Sequence, residues 1–133
     1  MIGLDTNILL RILVDDESRD VAKARNFVAT YAAQGHDFYV DTVVLIELVW
    51  VLESVFNYGR DHIATAIDAL LANVAYILDG REAVAIALTA FRSSRADFSD
   101  CLIAARCQQM NCNMTVTLDR AMHDLVGVTL ITK

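Results

Sequence analysis

An α/β fold, with a parallel sheet between two layers of helix, is what this sequence predicts. Three observations predict it. Short, near-continuously apolar runs of strand length recur along the chain. They alternate throughout with longer segments whose apolar positions repeat at helical period. The composition is 56% hydrophobic over 133 residues, enough for a substantial core in a single domain spanning 1–133. Strands that are apolar on both faces belong to parallel sheets covered on both sides.

The elements follow in order. Met1-Ile2-Gly3-Leu4 reads as a short buried strand, with a helix near 6–14 behind it. Over 18–34, Val21, Ala24, Phe27, Val28 and Tyr31 recur at helical period, and Gly35 ends the segment. Phe38-Tyr39-Val40 is a second strand. Asp41 or Thr42 can cap the next helix, which runs to about Asn57. A helix over 61–73 places Ile63, Ala66, Ile67, Leu70 and Leu71 on one face. Residues 74–78 form a third strand, and Asp79 can cap the alanine-rich helix ending near Ser93. Asp97 starts a helix to about Gln109, and runs at 114–117 and 128–131 complete a sheet of four to five strands.

The composition also excludes. No apolar stretch approaches the roughly 20 residues that span a bilayer. The N-terminus lacks the charged, apolar and small-residue segments of a secretion signal, so a cytoplasmic protein is expected. Cys101, Cys107 and Cys112 are odd in number and match no zinc spacing; reduced thiols are expected. A net charge of −6 opposes an extended electrostatic footprint on nucleic acid. Any such contact must be local, with bound cations and a few arginines offsetting the field. The acidity also suits a basic protein partner.

Carboxylates carry the chemistry. Asp5 follows the first apolar run, Glu47 sits in the third helix, Asp97 and Asp100 open the last long helix, and Asp119 follows Thr115-Val116-Thr117-Leu118. Ligands of parallel sheets bind beyond the carboxyl ends of the strands. If the strands share one sheet, these acids converge at one edge. Carboxylates held together repel unless cations or shared protons compensate. Each acid also has a plain structural explanation. Asp5, Asp97 and Asp119 can be caps, and Asp100 favours the helix dipole. Glu47 is the hardest to explain so, because nine of the ten residues in Val43–Leu52 are apolar. A helix apolar all round is expected to be buried, and a buried carboxylate must be paired, protonated or metal-bound. Taken together the acids suit Mg2+ or Mn2+, which prefer carboxylate oxygens, and the chemistry suits hydrolysis of a phosphodiester. Thr6 and Asn7 can orient a carboxylate or a water. Arg11, Arg95 and Arg120 are candidates for phosphate contact. His36, His62 and His123 have no partner pattern and default to the surface.

Asp5-Thr6-Asn7, Glu47 before Leu48-Val49-Trp50, Asp97-Phe98-Ser99-Asp100-Cys101-Leu102-Ile103-Ala104-Ala105, and Val116-Thr117-Leu118-Asp119-Arg120 together resemble the PIN-domain nucleases. More narrowly, residues 1–131 are similar to the VapC toxins of toxin–antitoxin pairs. The resemblance implies a three-layer α/β/α fold and a Mg2+- or Mn2+-dependent endoribonuclease that acts on RNA. It also implies a homodimer and a cognate antitoxin. Asp5, Glu47 and Asp100 fall on the family's first three acidic positions, Asp119 on a more variable fourth, and Asp97 on an acid found in a subset. Thr6 and Thr117 fall on small hydroxyl positions near the site. Asp41 departs from the pattern, where serine is usual.

Two further classes remain open at this stage. The acids can form a non-catalytic pocket that captures a basic partner peptide. A phosphatase or nucleotide-binding domain fits worse, because Asp5-Thr6-Asn7 lacks a second acid and no glycine-rich phosphate loop is present.

Overall fold

Residues 1–14 and 18–132 are described by a computed structural model, and its first three helices start where the sequence supplies an acceptor. Helix α1 (Thr6–Leu13) begins at Asp5, whose Oδ1 accepts the Thr6 N–H at 2.7 Å. Helix α2 (Arg19–Ala33) begins at Ser18, whose Oγ accepts the Val21 N–H at 3.3 Å. Helix α3 (Thr42–Ser54) begins at Asp41, whose Oδ2 accepts the Val43 N–H at 3.0 Å. Helices α4 (Arg60–Ala72), α5 (Arg81–Ser93) and α6 (Phe98–Gln109) follow.

The strands are β1 (Ile2–Gly3), β2 (Phe38–Val40), β3 (Tyr76–Leu78), β4 (Thr115–Thr117) and β5 (Val128–Leu130). All pair in parallel. The order β1-β2-β3 aligns Ile2 with Phe38 and Phe38 with Tyr76, while β4 pairs β5 with Thr115 opposite Val128. The α/β class with a parallel sheet therefore holds. The expected single sheet is instead hydrogen-bonded as sets of three and two strands among the described residues. Strands of two or three residues leave little length for a ladder between the sets.

Helices and strands enclose a core in which Leu9, Phe38, Leu45, Leu48, Leu52, Ile63, Ile67, Phe91 and Phe98 are essentially inaccessible. Phe91 and Phe98 meet edge to face at 5.9 Å, a contact worth about 1 kcal/mol beyond its area, and it locks α5 to α6. Coverage of the sheet is less complete than its apolar strands suggest. Ile77 is 40% exposed and Val116 52%.

Two boundaries differ from expectation. Helix α3 ends at Ser54 rather than Asn57, which has φ +55° and so cannot continue a right-handed helix. Asp79 does not cap α5. That position belongs to Gly80, at φ +63°, where any side chain would run into the Arg106 guanidinium. The thiols are free, with Cys101 buried, Cys107 half-buried and Cys112 exposed. Burial pushes the Cys101 thiol up from its ordinary pKa. Among the described residues, no helix is long and apolar enough to cross a membrane.

Candidate active site

The acidic end of α6 rests on a turn that Arg60 holds. Its Nη2 donates toward the carbonyls of Phe91 (2.6 Å), Ser94 (3.0 Å) and Ala96 (2.9 Å), and its guanidinium lies 3.9 Å over the Phe91 ring. This fixes the chain between α5 and α6 just before Asp97. Asp97 occupies the N-cap position, yet its side chain makes no capping hydrogen bond. Asp100, half-buried one turn on, also lacks a hydrogen bond or ion pair among the described residues. Burial chiefly raises the Asp100 carboxyl above its ordinary pKa, and the charges of Asp97 and Asp119 add to this.

Asp119 reaches the same neighbourhood from β4. Thr117 shapes its turn, because Thr117 Oγ1 accepts the Asp119 N–H at 3.0 Å. Asp119 Oδ1 in turn accepts the Ala121 N–H at 2.9 Å and caps a 3-10 turn over Arg120–Met122. Asp119 is therefore a cap and a neighbour of Asp100 at once. Asp5 is likewise a cap, exposed at the end of β1, with Thr6 buried beneath it.

Glu47 requires a correction. It is exposed, not buried, because α3 turns Leu45, Leu48, Val49 and Leu52 inward and leaves Val43 (72% exposed), Glu47 and Trp50 (63% exposed) on an outer stripe. A uniformly apolar sequence does not ensure a uniformly covered helix. The other acid of α3, Glu53, reads as ordinary surface in the sequence but stands near Asp97. Its carboxyl is raised by burial first and by the Asp97 charge second, against a lowering by Arg60. Glu53 and Asp97 together line a cavity of about 110 Å3 with Trp50 and Phe98. Neither Glu53 nor Arg60 is detectable by sequence pattern, since Asp97 and the carbonyls of Phe91 and Ala96 lie more than 30 residues away from them.

The structure thus brings Asp97, Asp100 and Asp119 into electrostatic reach and adds Glu53. The charges that act on Asp100 do not include Asp5 or Glu47, whose helices connect to α6 only by packing of α1 on α3 and of α3 on α6. Among the described residues, no three acids stand close enough to share one ion as the side chains lie. The donor set nonetheless fits a hard divalent cation, because it consists of carboxylate oxygens, several without an internal donor.

The arginines separate into two places. Arg11 lines a cavity of about 620 Å3 between β1, α1 and α2, together with Leu4, Asn7, Ile8, Lys23 and Phe27. That cavity is mostly apolar and does not hold the acids of α6. Arg95 and Arg120 line a different cleft with His123. His62 and His123 are exposed, and His36 is half-buried edge-on to Tyr31.

Parallel strands flanked by helices, with acids gathered at the start of α6 near the end of β4, define an α/β protein with carboxylates at its strand ends. The family model for the PIN domain matches residues 2–128, and the chain belongs to that family. It is similar to the VapC ribonuclease of Aquifex aeolicus (strain VF5), at 25% identity over 122 residues, 92% of this chain and 90% of that protein.

Proposed function

We propose that this chain is a Mg2+- or Mn2+-dependent endoribonuclease, the toxin of a toxin–antitoxin pair. One observation carries the proposal. Asp97 and Asp100 accept no side-chain hydrogen bond among the described residues, and Asp100 lies within reach of the charges of both Asp97 and Asp119 with no cation offsetting them at its carboxyl. Membership of the PIN family and likeness to a protein named VapC ribonuclease support the ribonuclease part. A bound divalent cation would supply the missing charge, a water of lowered pKa and stabilisation of the phosphate.

The chain's own residues hold and orient. Asp5 and Asp100 are the main ligands, and Asp97, Glu47 and Asp119 complete the acidic shell directly or through water. Thr117 fixes the backbone on which Asp119 stands. Thr6 and Asn7 follow Asp5 and orient it or a water. A cognate antitoxin, a homodimer and a cytoplasmic location belong to the same proposal. Exposed Val43 and Trp50 on α3 are apolar surface of the kind that partner chains cover.

The test is RNA cleavage by the purified chain in Mg2+ or Mn2+. Asp5→Asn removes a ligand charge while its side-chain oxygen can still cap α1, so cleavage should vanish and the fold should persist. A variant that cleaves like the wild type sinks the assignment. One observation favours a second possibility, a non-catalytic acidic pocket for a basic peptide: no three acids are gathered around one point. Calorimetry with Mn2+ separates the two, since a pocket built only for a peptide takes up no metal.

A further inference from the structure

Besides the acids, one feature combines charge, shape and position: the cleft of about 440 Å3 lined by Arg95, Arg120, Ala121, His123, Asp124 and Leu130. We infer that this cleft seats a backbone phosphate of the RNA strand next to the acidic site. The inference rests on the ribonuclease proposal above and extends it to how the substrate is held.

Two arginines from distant parts of the chain meet here, 25 residues apart in the sequence. Both are exposed, and neither guanidinium has an ion pair or side-chain hydrogen bond among the described residues. His123 Nε2 lies 2.9 Å from Asp124 Oδ1, and its Nδ1 lies 2.9 Å from the Arg120 carbonyl. The lining thus sets two guanidiniums against one carboxylate, in a chain whose net charge is −6.

Position supplies the link to the acids. Arg120 directly follows Asp119, and Arg95 stands two residues before Asp97. At about 3.8 Å per residue the arginines are anchored within one or two residue steps of the acids that raise Asp100. Neither arginine forms an ion pair with those acids among the described residues, which leaves both groups available to one ligand: acids on one side and anion-binding arginines on the other. Phosphate is the anion that suits paired guanidinium forks. The half-buried walls of Ala121 and Leu130 offer an apolar surface for the adjoining ribose or base. A contact to the phosphate backbone positions the strand without reading its sequence.

The experiment measures cleavage of a short unstructured RNA in Mn2+, and its retention on filters in EDTA, over a range of salt concentrations. Wild type is compared with Arg95→Ala/Arg120→Ala and with Arg95→Lys/Arg120→Lys. The alanine pair should raise KM about tenfold with kcat little changed, and lower the magnitude of the salt slope by about 0.7 if one phosphate is lost. The lysine pair, which keeps the charge, should restore most of the slope. If wild type cleaves and the alanine pair keeps its KM and slope, the inference falls while the ribonuclease proposal stands. If wild type retains RNA without cleaving it, and the alanine pair loses that retention, the inference stands and the ribonuclease proposal falls. If wild type does neither, both fall. Competition by a glutamate-rich peptide at equal charge concentration, as strong as that by RNA, would assign the cleft to a protein ligand and overturn the inference.

Discussion

Two groups of carboxylates stand near strand ends of this protein, and they are built in opposite ways. At the ends of β2 and β3, every acid has donors. Asp41 accepts the Tyr39 hydroxyl at 2.9 Å and the Val43 N–H at 3.0 Å. Asp79 accepts the Thr42 hydroxyl at 2.7 Å and lies 4.0 Å from the Arg106 guanidinium. The hydrogen bond to Asp41 is the first cause of the raised Tyr39 pKa, a sign that the phenol is committed as a donor. At the start of α6 the reverse holds. Asp97 and Asp100 have no donor, and Asp100 feels two further negative charges. An acid with donors on its oxygens strengthens the fold by about 1–3 kcal/mol. An acid without them, placed among others, weakens it unless something outside the chain compensates. The same residue type therefore serves structure in one place and is left without donors in the other.

The largest test of this contrast is a pair of isosteric substitutions. If Asp100 is the ligand proposed above, Asp100→Asn should reduce RNA cleavage by roughly a thousandfold or more, because it removes the charge that would hold the cation. Its melting temperature should not fall. Asp79→Asn should do the opposite, keeping cleavage within a few-fold of wild type while losing about 1–2 kcal/mol of stability through weaker bonds to Thr42 and Arg106. Cleavage assays beside urea melts of both variants decide it. Loss of activity in Asp79→Asn with stability unchanged would invert the assignment of the two groups.

A smaller effect sharpens it. The open group still depends on a closed one, the Arg60 guanidinium with its three carbonyls behind Asp97. Arg60→Met keeps an unbranched apolar side chain but removes the guanidinium over Phe91 and leaves those carbonyls without their donor. A loss of about 1–3 kcal/mol is expected, with a drop in cleavage that exceeds the fraction unfolded. Denaturant melts with activity read well below the midpoint separate the two. If cleavage follows only the folded fraction, Arg60 stabilises the turn without positioning Asp97.

How much of this was legible in the sequence depends on the range of the cause. The helix starts at Thr6 and Thr42 were legible because the capping side chain is one or two residues away, and that near Arg19 because the apolar period begins there. Asp41, the departure from the family pattern, is explained the same way as a cap that also accepts from Tyr39. Asp79 was misjudged because Thr42, 37 residues earlier, claims its carboxylate, and Gly80 takes the cap position. Glu47 was misjudged because periodicity cannot reveal an outer face that is itself apolar, as Val43 and Trp50 make it. The acids of the site were legible as residue types at strand and helix ends. That Asp97 and Asp100 lack donors was not, since it depends on what the whole fold brings near them.

The smallest expected effect is on stability against pH, and it concerns Asp100 alone. Its carboxyl is raised in the folded chain by burial, then by Asp97 and Asp119. A folded-state pKa above the unfolded one means that protonation favours folding. The contribution is fully present below the unfolded value, near 4, and is lost as pH rises through the folded value. At neutral pH without divalent cations, the ionised Asp100 therefore opposes folding. Asp100→Asn should melt about two degrees higher than wild type there, the effect being small because solvent screens a half-exposed group. The advantage should shrink as pH falls toward 4. Added Mn2+ should raise the wild-type melting temperature by mass action and leave Asp100→Asn nearly unchanged. A wild-type protein that melts at the same temperature with and without Mn2+, alongside an Asp100→Asn variant no more stable at pH 7, would mean that the α6 acids are compensated after all. The contrast with the Asp41 and Asp79 group would then be lost.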